Sequence, residues 1–355
     1  PVVGGYTQRL AAAIGPGTLR LLRSSLGILP PAEAAAFPAR AMFSGPAGGV
    51  LASARLAQRA GHAQVAAFDM GGTSADVCLV AHGDASHDAV SIAGLPLPLP
   101  AVAVHTVGCG GGSIAFADAG GALRVGPESA GADPGPACYG RGDQPTVTDA
   151  HVALGHLGAR TLLGGEFPID VDAAVRAIER LARRLGISPL RAATGVLEVA
   201  DATMARALLV VTAERAVDPA RVPLVAYGGA GGLHAAGLVR RLGMPCAIVP
   251  ALAGTFSALG LALAGEAVER SEVVHERVDA RGLASLRRRA RALQQDVRAS
   301  LRGRARTRVE ALVRYQGQGG GLRVALTQGM ATAFAREHRR RFGFVSDAAL
   351  EVVQI

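Results

Sequence analysis

The stretch VAAFDMGGTSADVCLV, Val65 to Val80, sets an acid, two glycines and two hydroxyls between two apolar runs. Short apolar runs bounded by glycine read as strands. The pattern predicts a strand from Val65 to Asp69, a bend, and a second strand from Asp76 to Ala81. Glycine at the bend frees the backbone for positive φ and lets a ligand approach the amides closely. Successive N–H groups in such a bend form an anion-binding hollow. Thr73 and Ser74 add hydroxyl donors beside Gly71 and Gly72. Asp69, at the strand end, suits a hydrated magnesium ion near phosphates. A second bend, Gly228-Gly229-Ala230-Gly231-Gly232, follows the apolar run PLVAY and leads into a predicted helix. A helix start is itself an anion site, and glycines there equally admit a flat ring. Either bend alone also fits a plain tight turn. The pair, with Asp69 and Asp76 flanking the first, points to a nucleotide. Neither has the spacing of the dinucleotide fingerprint, and no acid stands at a strand end about 20 residues further on.

Composition narrows the classes. In 355 residues, 50% are hydrophobic and 18% charged, which fits an α/β globular chain and excludes a disordered one. The net charge is +9, and all 37 basic residues are arginine. Without lysine there is no P-loop GKS or GKT and no Schiff base. Aromatics are 4%, too few to stack bases, so nucleic acid is not expected as a partner. No apolar run is long enough for a membrane span. Cys78, Cys109, Cys138 and Cys246 form no C-x-x-C pair, so a reducing cytoplasm is expected.

Along the chain, FSGPAGGV reads as a turn leading into a helix from Gly49 to Ala60. Leu95 to Asp149 reads as loop-rich, with short strands at Ser113 to Ala117 and Ala122 to Val125. Long ordered loops tend to be functional. Helices are expected at Thr148 to Gly155, Val171 to Leu185 and Pro189 to Val217. An arginine-rich helix follows, in which Leu283, Leu286, Ala290, Leu293, Val297 and Leu301 recur at helical spacing.

The loop-rich stretch also gathers His105, Cys109, Asp133, Cys138, Asp149 and His151, side chains of the types that bind zinc or another divalent ion. Their irregular spacing fits no metal-site pattern, and for any one of them a loop clamp or a buried hydrogen bond is the favoured reading. His105 and Asp149 are the pair singled out as metal ligands. His62, His82, His87, His156, His275 and His338 are expected at the surface. His234 either contacts a nucleotide or packs at the helix start. Glu128 either orients a substrate or closes a turn.

Together SGPAGGV, FDMGGTSADV, HTVGCGGGSIA, VGPESAGADPGPACYGRG, PTVTDA and YGGAGGLHA resemble the hydantoinase A/5-oxoprolinase family, which includes ATP-binding subunits of acetone and acetophenone carboxylases. The resemblance covers most of the chain, with the motifs in the family's order. It implies an actin/Hsp70/sugar-kinase-like α/β ATPase fold of two ribonuclease-H-like lobes, with ATP between them. DMGGTSAD would be the second phosphate loop, and YGGAGGLHA the adenosine loop. The family's earlier lobe, with its DxGGTFTD-like first phosphate loop, has no counterpart here. His151 stands where Asn or a similar residue often follows TVTDA. Residues 1–43 are read as a remnant of, or connector to, that preceding lobe, 44–270 as the ATPase lobe, and 271–355 as a shortened C-terminal α+β segment.

The resemblance implies ATP- and Mg2+-dependent ring opening of a cyclic amide of the hydantoin or 5-oxoproline type. Asp69 and Asp76 would be the catalytic acids, with Asp69 at the metal. Gly71, Gly72, Thr73 and Ser74 would hold phosphates, and Gly228, Gly229, Gly231 and Gly232 the adenosine. A hydantoinase B-type subunit or domain would complete the chemistry. A ketone carboxylase subunit and a non-catalytic assembly remnant are the alternatives.

Overall fold

The computed structural model describes residues 2–15, 19–81, 84–85, 87–92, 95–157, 161–162, 165–265, 267–300 and 307–355; for 84–100 it describes the backbone alone. The chain divides into two compact units, Pro1–Ala213 with Val217–Ala264, and Glu214–Ala216 with Gly265–Ile355.

Among the described residues the first unit's main sheet runs, in space, His105–Val107, Ala75–Ala81, Gln64–Met70, Leu224–Tyr227 and Ala247–Ile248, and Asp84–Ala85 also pairs with Ala75–Ala81. The pairs among the first three strands are antiparallel, and the last two strands join in parallel. This is the order expected of a ribonuclease-H-like lobe. The strand pair predicted from VAAFDMGGTSADVCLV forms, each strand one residue longer at the bend.

Strand periodicity divides the sheet's side chains between two cores. Ala66, Phe68, Met70, Ala75, Val77, Leu79, Leu224 and Ala226 face helices Val147–Ala153, Val171–Leu185, Pro189–Ala213 and Gly231–Leu242. Val65, Ala67, Cys78, Val80, Val225 and Tyr227 face helices Ser44–Arg59 and Phe256–Ala262. Both faces are covered, so these strands read as unbroken apolar runs. Full burial of a side chain such as Phe68 contributes roughly 1.5–3 kcal/mol.

The helix expected from Gly49 begins at Ser44, because Pro46 falls in its first turn, where proline is tolerated. The small residues of SGPAGGV then allow close packing. A Cβ on Gly49 would lie 2.5 Å from the Tyr227 ring, and one on Gly48 would lie 2.5 Å from the Ser257 carbonyl. Leu95–Val102, expected as loop, is a strand paired with His87–Ile92. Helix Pro189–Ala213 ends before the expected Val217.

The second unit places strands in the antiparallel order Val273–Arg277, Leu350–Gln354, Glu310–Tyr315, Leu322–Ala325, with helices Ala280–Ser300 and Met330–Phe342. Leu286 and Ala290 bury the apolar stripe of the arginine-rich helix; Leu301 lies outside the described residues. His338, expected at the surface, is buried against Tyr315 and Phe334. Its Nδ1 bonds the Phe344 carbonyl at 2.9 Å, and its Nε2 the Gln318 amide at 3.1 Å. An imidazole with both nitrogens bonded is tolerated in an aromatic core. His156 and His275 are exposed and His62 is half-buried, while His82 and the side chain of His87 lie outside the described residues.

The contact between Ser44–Arg59 and Phe256–Ala262 is testable. A Cβ on Gly260 would fall well inside contact distance of the Gly48 carbonyl, whereas one on Gly254 would meet open space. Gly260→Ala is expected to destabilise the fold by about 3 kcal/mol, and Gly254→Ala by less than about 0.5 kcal/mol. Paired urea denaturation curves check the difference.

Candidate functional site

The two glycine bends lie side by side. Tyr227 is in parallel register with Asp69, so both strands end at the same edge, and the Ala230 amide donates to the Met70 carbonyl at 3.0 Å. Gly228 makes this approach possible. It adopts φ +84°, and a Cβ there would overlap Asp69 Oδ1 and the Met70 carbonyl.

A third glycine run, Gly110-Gly111-Gly112, packs on the first bend. The Gly111 amide donates to the Gly71 carbonyl at 3.0 Å, and the Gly112 amide to the Gly72 carbonyl at 2.6 Å. A Cβ on Gly110 would sit 2.6 Å from the backbone of Gly72 and Thr73. Thr148 anchors this run, its amide and hydroxyl each donating to the Gly111 carbonyl at 2.8 Å. Sequence reasoning noted the run around Cys109 but gave it no role. The density of GCGGGS was the available signal.

These bonds decide which groups the first bend presents. Gly71 spends its amide on the Ser74 carbonyl, and the Gly71 and Gly72 carbonyls are taken by the third run. The amides of Gly72, Thr73 and Ser74 have no partner among the described residues, and Gly72 and Thr73 are exposed. The Gly229 amide is likewise unpartnered among them, and Gly229 is exposed. Exposed amides converging beside a helix start suit an acceptor-rich anion.

Asp69 and Asp76 are directly opposite in the antiparallel register, on one face of the sheet. Asp69 Oδ2 accepts from the Ser257 hydroxyl at 3.2 Å, and Asp76 Oδ1 from the Thr106 hydroxyl at 2.6 Å. Burial holds the Asp69 carboxyl above the usual carboxylate range; the Ser257 bond opposes this, and the charge of Asp76 adds to it. A carboxylate so placed gains from a nearby cation.

His105 and Asp149 occupy different surroundings. His105 is exposed on the edge strand, opposite Val77. Asp149 is fully buried and closes a capping box with Thr146 at the start of Val147–Ala153. Its oxygens accept from the amides of Ala137, Cys138 and Thr146 at 2.8–3.1 Å, and from the Thr146 hydroxyl at 2.8 Å. It therefore clamps the glycine-proline loop to the helix. Beside it the buried Cys138 thiol is pushed well above its usual range, chiefly by burial. Among the described residues no group of three or more His, Cys, Asp or Glu side chains is arranged to hold a metal ion. Asp133 and Glu128 are exposed. His234 is buried in the first turn of Gly231–Leu242, bonded to Asp201 rather than open to the bend. No helix among the described residues is long and apolar enough to cross a membrane.

The chain matches the hydantoinase/oxoprolinase family model over residues 3–270. It is 37% identical over 286 residues to the caprolactamase subunit alpha of Pseudomonas jessenii, covering 79% of this chain and 41% of that one. The crystal structure of the ATP-dependent caprolactamase from the same organism superposes with a TM-score of 0.81 at 32% identity, over 100% of this chain and 55% of that one. A nucleotide-free acetone carboxylase structure gives 0.70 at 28% identity, over 95% of this chain and 51% of that one. The chain thus spans about half the length of the relatives it matches. The expected α/β, actin-like ATPase architecture holds.

Asp69 supplies a pH test. Its raised value means the native state holds that proton more tightly than the unfolded chain does. Its contribution to stability therefore improves as pH falls through the raised value and worsens as pH rises through it. Asp69→Asn is expected to be more stable than the parent near neutrality, with the difference vanishing in acid. Urea midpoints across a pH series measure it.

Proposed function

The chain belongs to the hydantoinase/oxoprolinase family, and on that premise we propose that its glycine-lined hollow binds ATP for the ring opening of a cyclic amide. The observation carrying this reading is the set of amides at exposed Gly72 and Thr73 and half-buried Ser74, unpartnered among the described residues, beside the half-buried carboxylate of Asp69. A relative described as an ATP-dependent caprolactamase, a lactam-directed enzyme, supports the substrate class.

When bound, ATP supplies a phosphoryl group to an amide oxygen, making a poor leaving group a good one. The chain's part is positioning and charge. The amides from Gly72 to Ser74 and the hydroxyls of Thr73 and Ser74 donate to phosphate oxygens. Asp69 would hold Mg2+, which would neutralise phosphate charge, with Asp76 alongside, oriented by Thr106. Exposed Gly229 and Gly232 leave room for adenosine, while Gly228 and Gly231, also assigned to the adenosine loop, hold that bend against the Asp69 strand. Gly71 keeps the bend tight through its bond to Ser74. A B-type subunit or domain completes hydrolysis, and a further lobe supplies the other wall of the cleft. A reducing cytoplasm fits four cysteines that form no C-x-x-C pair.

A ketone carboxylase subunit is the second reading, favoured by the TM-score of 0.70 to acetone carboxylase. The same phosphoryl chemistry would then act on an enol oxygen.

Calorimetry of ATP with Mg2+ tests the site. The parent is expected to bind. Asp69→Asn is expected to weaken the Mg2+-dependent affinity by about tenfold or more. Equal affinity in the variant removes Asp69 from the site, and no binding by the parent overturns the ATP reading. Assays with the partner subunit on a lactam, and on a ketone with bicarbonate, separate the two substrates.

A further inference from the structure

Away from the sheet face that carries Asp69, four side chains far apart in sequence form one hydrogen-bonded file. Asp201 on Pro189–Ala213 meets His234 Nδ1 at 2.6 Å. His234 Nε2 meets His151 Nε2 at 3.1 Å, and His151 Nδ1 meets His156 Nδ1 at 3.0 Å. His234 and His151 are buried, while His156 is exposed. The Asp201 carboxylate presses so closely on Gly231–Leu242 that a Cβ on Gly237 would overlap its Oδ2.

The contacts fix the protons. A carboxylate only accepts, so His234 Nδ1 donates to that of Asp201. Neutral His234 then accepts at Nε2, His151 donates from Nε2 and accepts at Nδ1, and His156 donates from Nδ1. His156 Nε2 is left as the basic atom at the exposed end.

We propose that His156, His151 and His234 relay a solvent proton to a buried imidazolium at His234, held by Asp201. A proton adds to His156 Nε2. The His156 Nδ1 proton passes to His151 Nδ1, and the His151 Nε2 proton passes to His234 Nε2. One proton leaves water, three N–H bonds form and two break. His156 and His151 end neutral with tautomers reversed, and His234 carries the charge.

The surroundings favour that end point. Burial, with His234 and His156 adjacent, pushes His151 down to about 3, so the charge does not rest there. Cys109 faces Asp201 from the third glycine run; burial and that carboxylate push its thiol up to about 11, so it stays neutral. Asp149, on the helix of His151, is occupied by its own loop. Asp201 is thus the carboxylate available to pair with the new charge. Because His234 lies in the first turn after the second glycine bend, the charge raises local affinity for anions. This last consequence rests on the ATP reading; the relay does not.

Nitrogen-15 histidine NMR across a pH series tests the relay directly. Near neutrality His234 is expected as the Nδ1–H tautomer and His151 as the Nε2–H tautomer. On acidification His234 should become doubly protonated while His151 stays neutral with its tautomer reversed. His156→Gln can still donate to His151 but cannot pass on a solvent proton, so exchange broadening at His234 Nε2 should be lost. Charge resting on His151 or His156 with His234 neutral, or unchanged broadening in His156→Gln, overturns the proposal. ATP affinity measured above and below the pH at which NMR shows His234 gaining its second proton should be tighter below it. No ATP binding at any pH would sink the ATP reading alone, because the NMR result still decides the relay.

Discussion

The site depends first on main-chain hydrogen bonds between loops. Met70, Gly71 and Gly72 turn their carbonyls inward to the amides of Ala230, Gly111 and Gly112. With carbonyls committed to neighbouring loops, the following amides face outward. Backbone groups need partners when buried, so committing one set decides what the other offers. Gly228 and Gly110 are required because each lies where a side chain would separate the loops.

The sheet supplies the frame. Parallel pairing sets Asp69 beside Tyr227, and antiparallel pairing sets it opposite Asp76. Two carboxylates thus share one face next to Ser257 and above a well-packed core. The raised Asp69 value is a cost to the fold that a cation would relieve, a common arrangement at sites that bind charge. The small-residue packing of Ser44–Arg59 on Phe256–Ala262 brings the helix carrying Ser257 close enough for that contact.

Much of this was legible in the sequence, for identifiable reasons. Apolar runs around glycine marked the Gln64–Met70 and Ala75–Ala81 strands because both faces are buried. The two bends were visible as glycine clusters; Gly228 alone among them adopts positive φ, against Asp69, while Gly71, Gly72 and Gly229 have room for a Cβ. Their adjacency rests on pairing between residues more than 150 positions apart, which local pattern does not carry; the family resemblance supplied it. Asp149 was read as a metal ligand, yet Thr146-x-x-Asp149 is a capping-box pattern, and that signal pointed to the clamp the structure contains. In the file from His156 to Asp201 the His151–His156 link is local, but the links to His234 and Asp201 come from helix packing and left no local trace.

The clamp at Asp149 has a wider reach than its own helix. It ties Ala137 and Cys138 to the same short helix whose Thr148 holds Gly111, and Gly111 in turn holds Gly71. Loosening one buried carboxylate would therefore slacken a ligand-facing bend three contacts away. Variation around Ala137 can thus shift the Gly71–Ser74 bend without any residue there touching it.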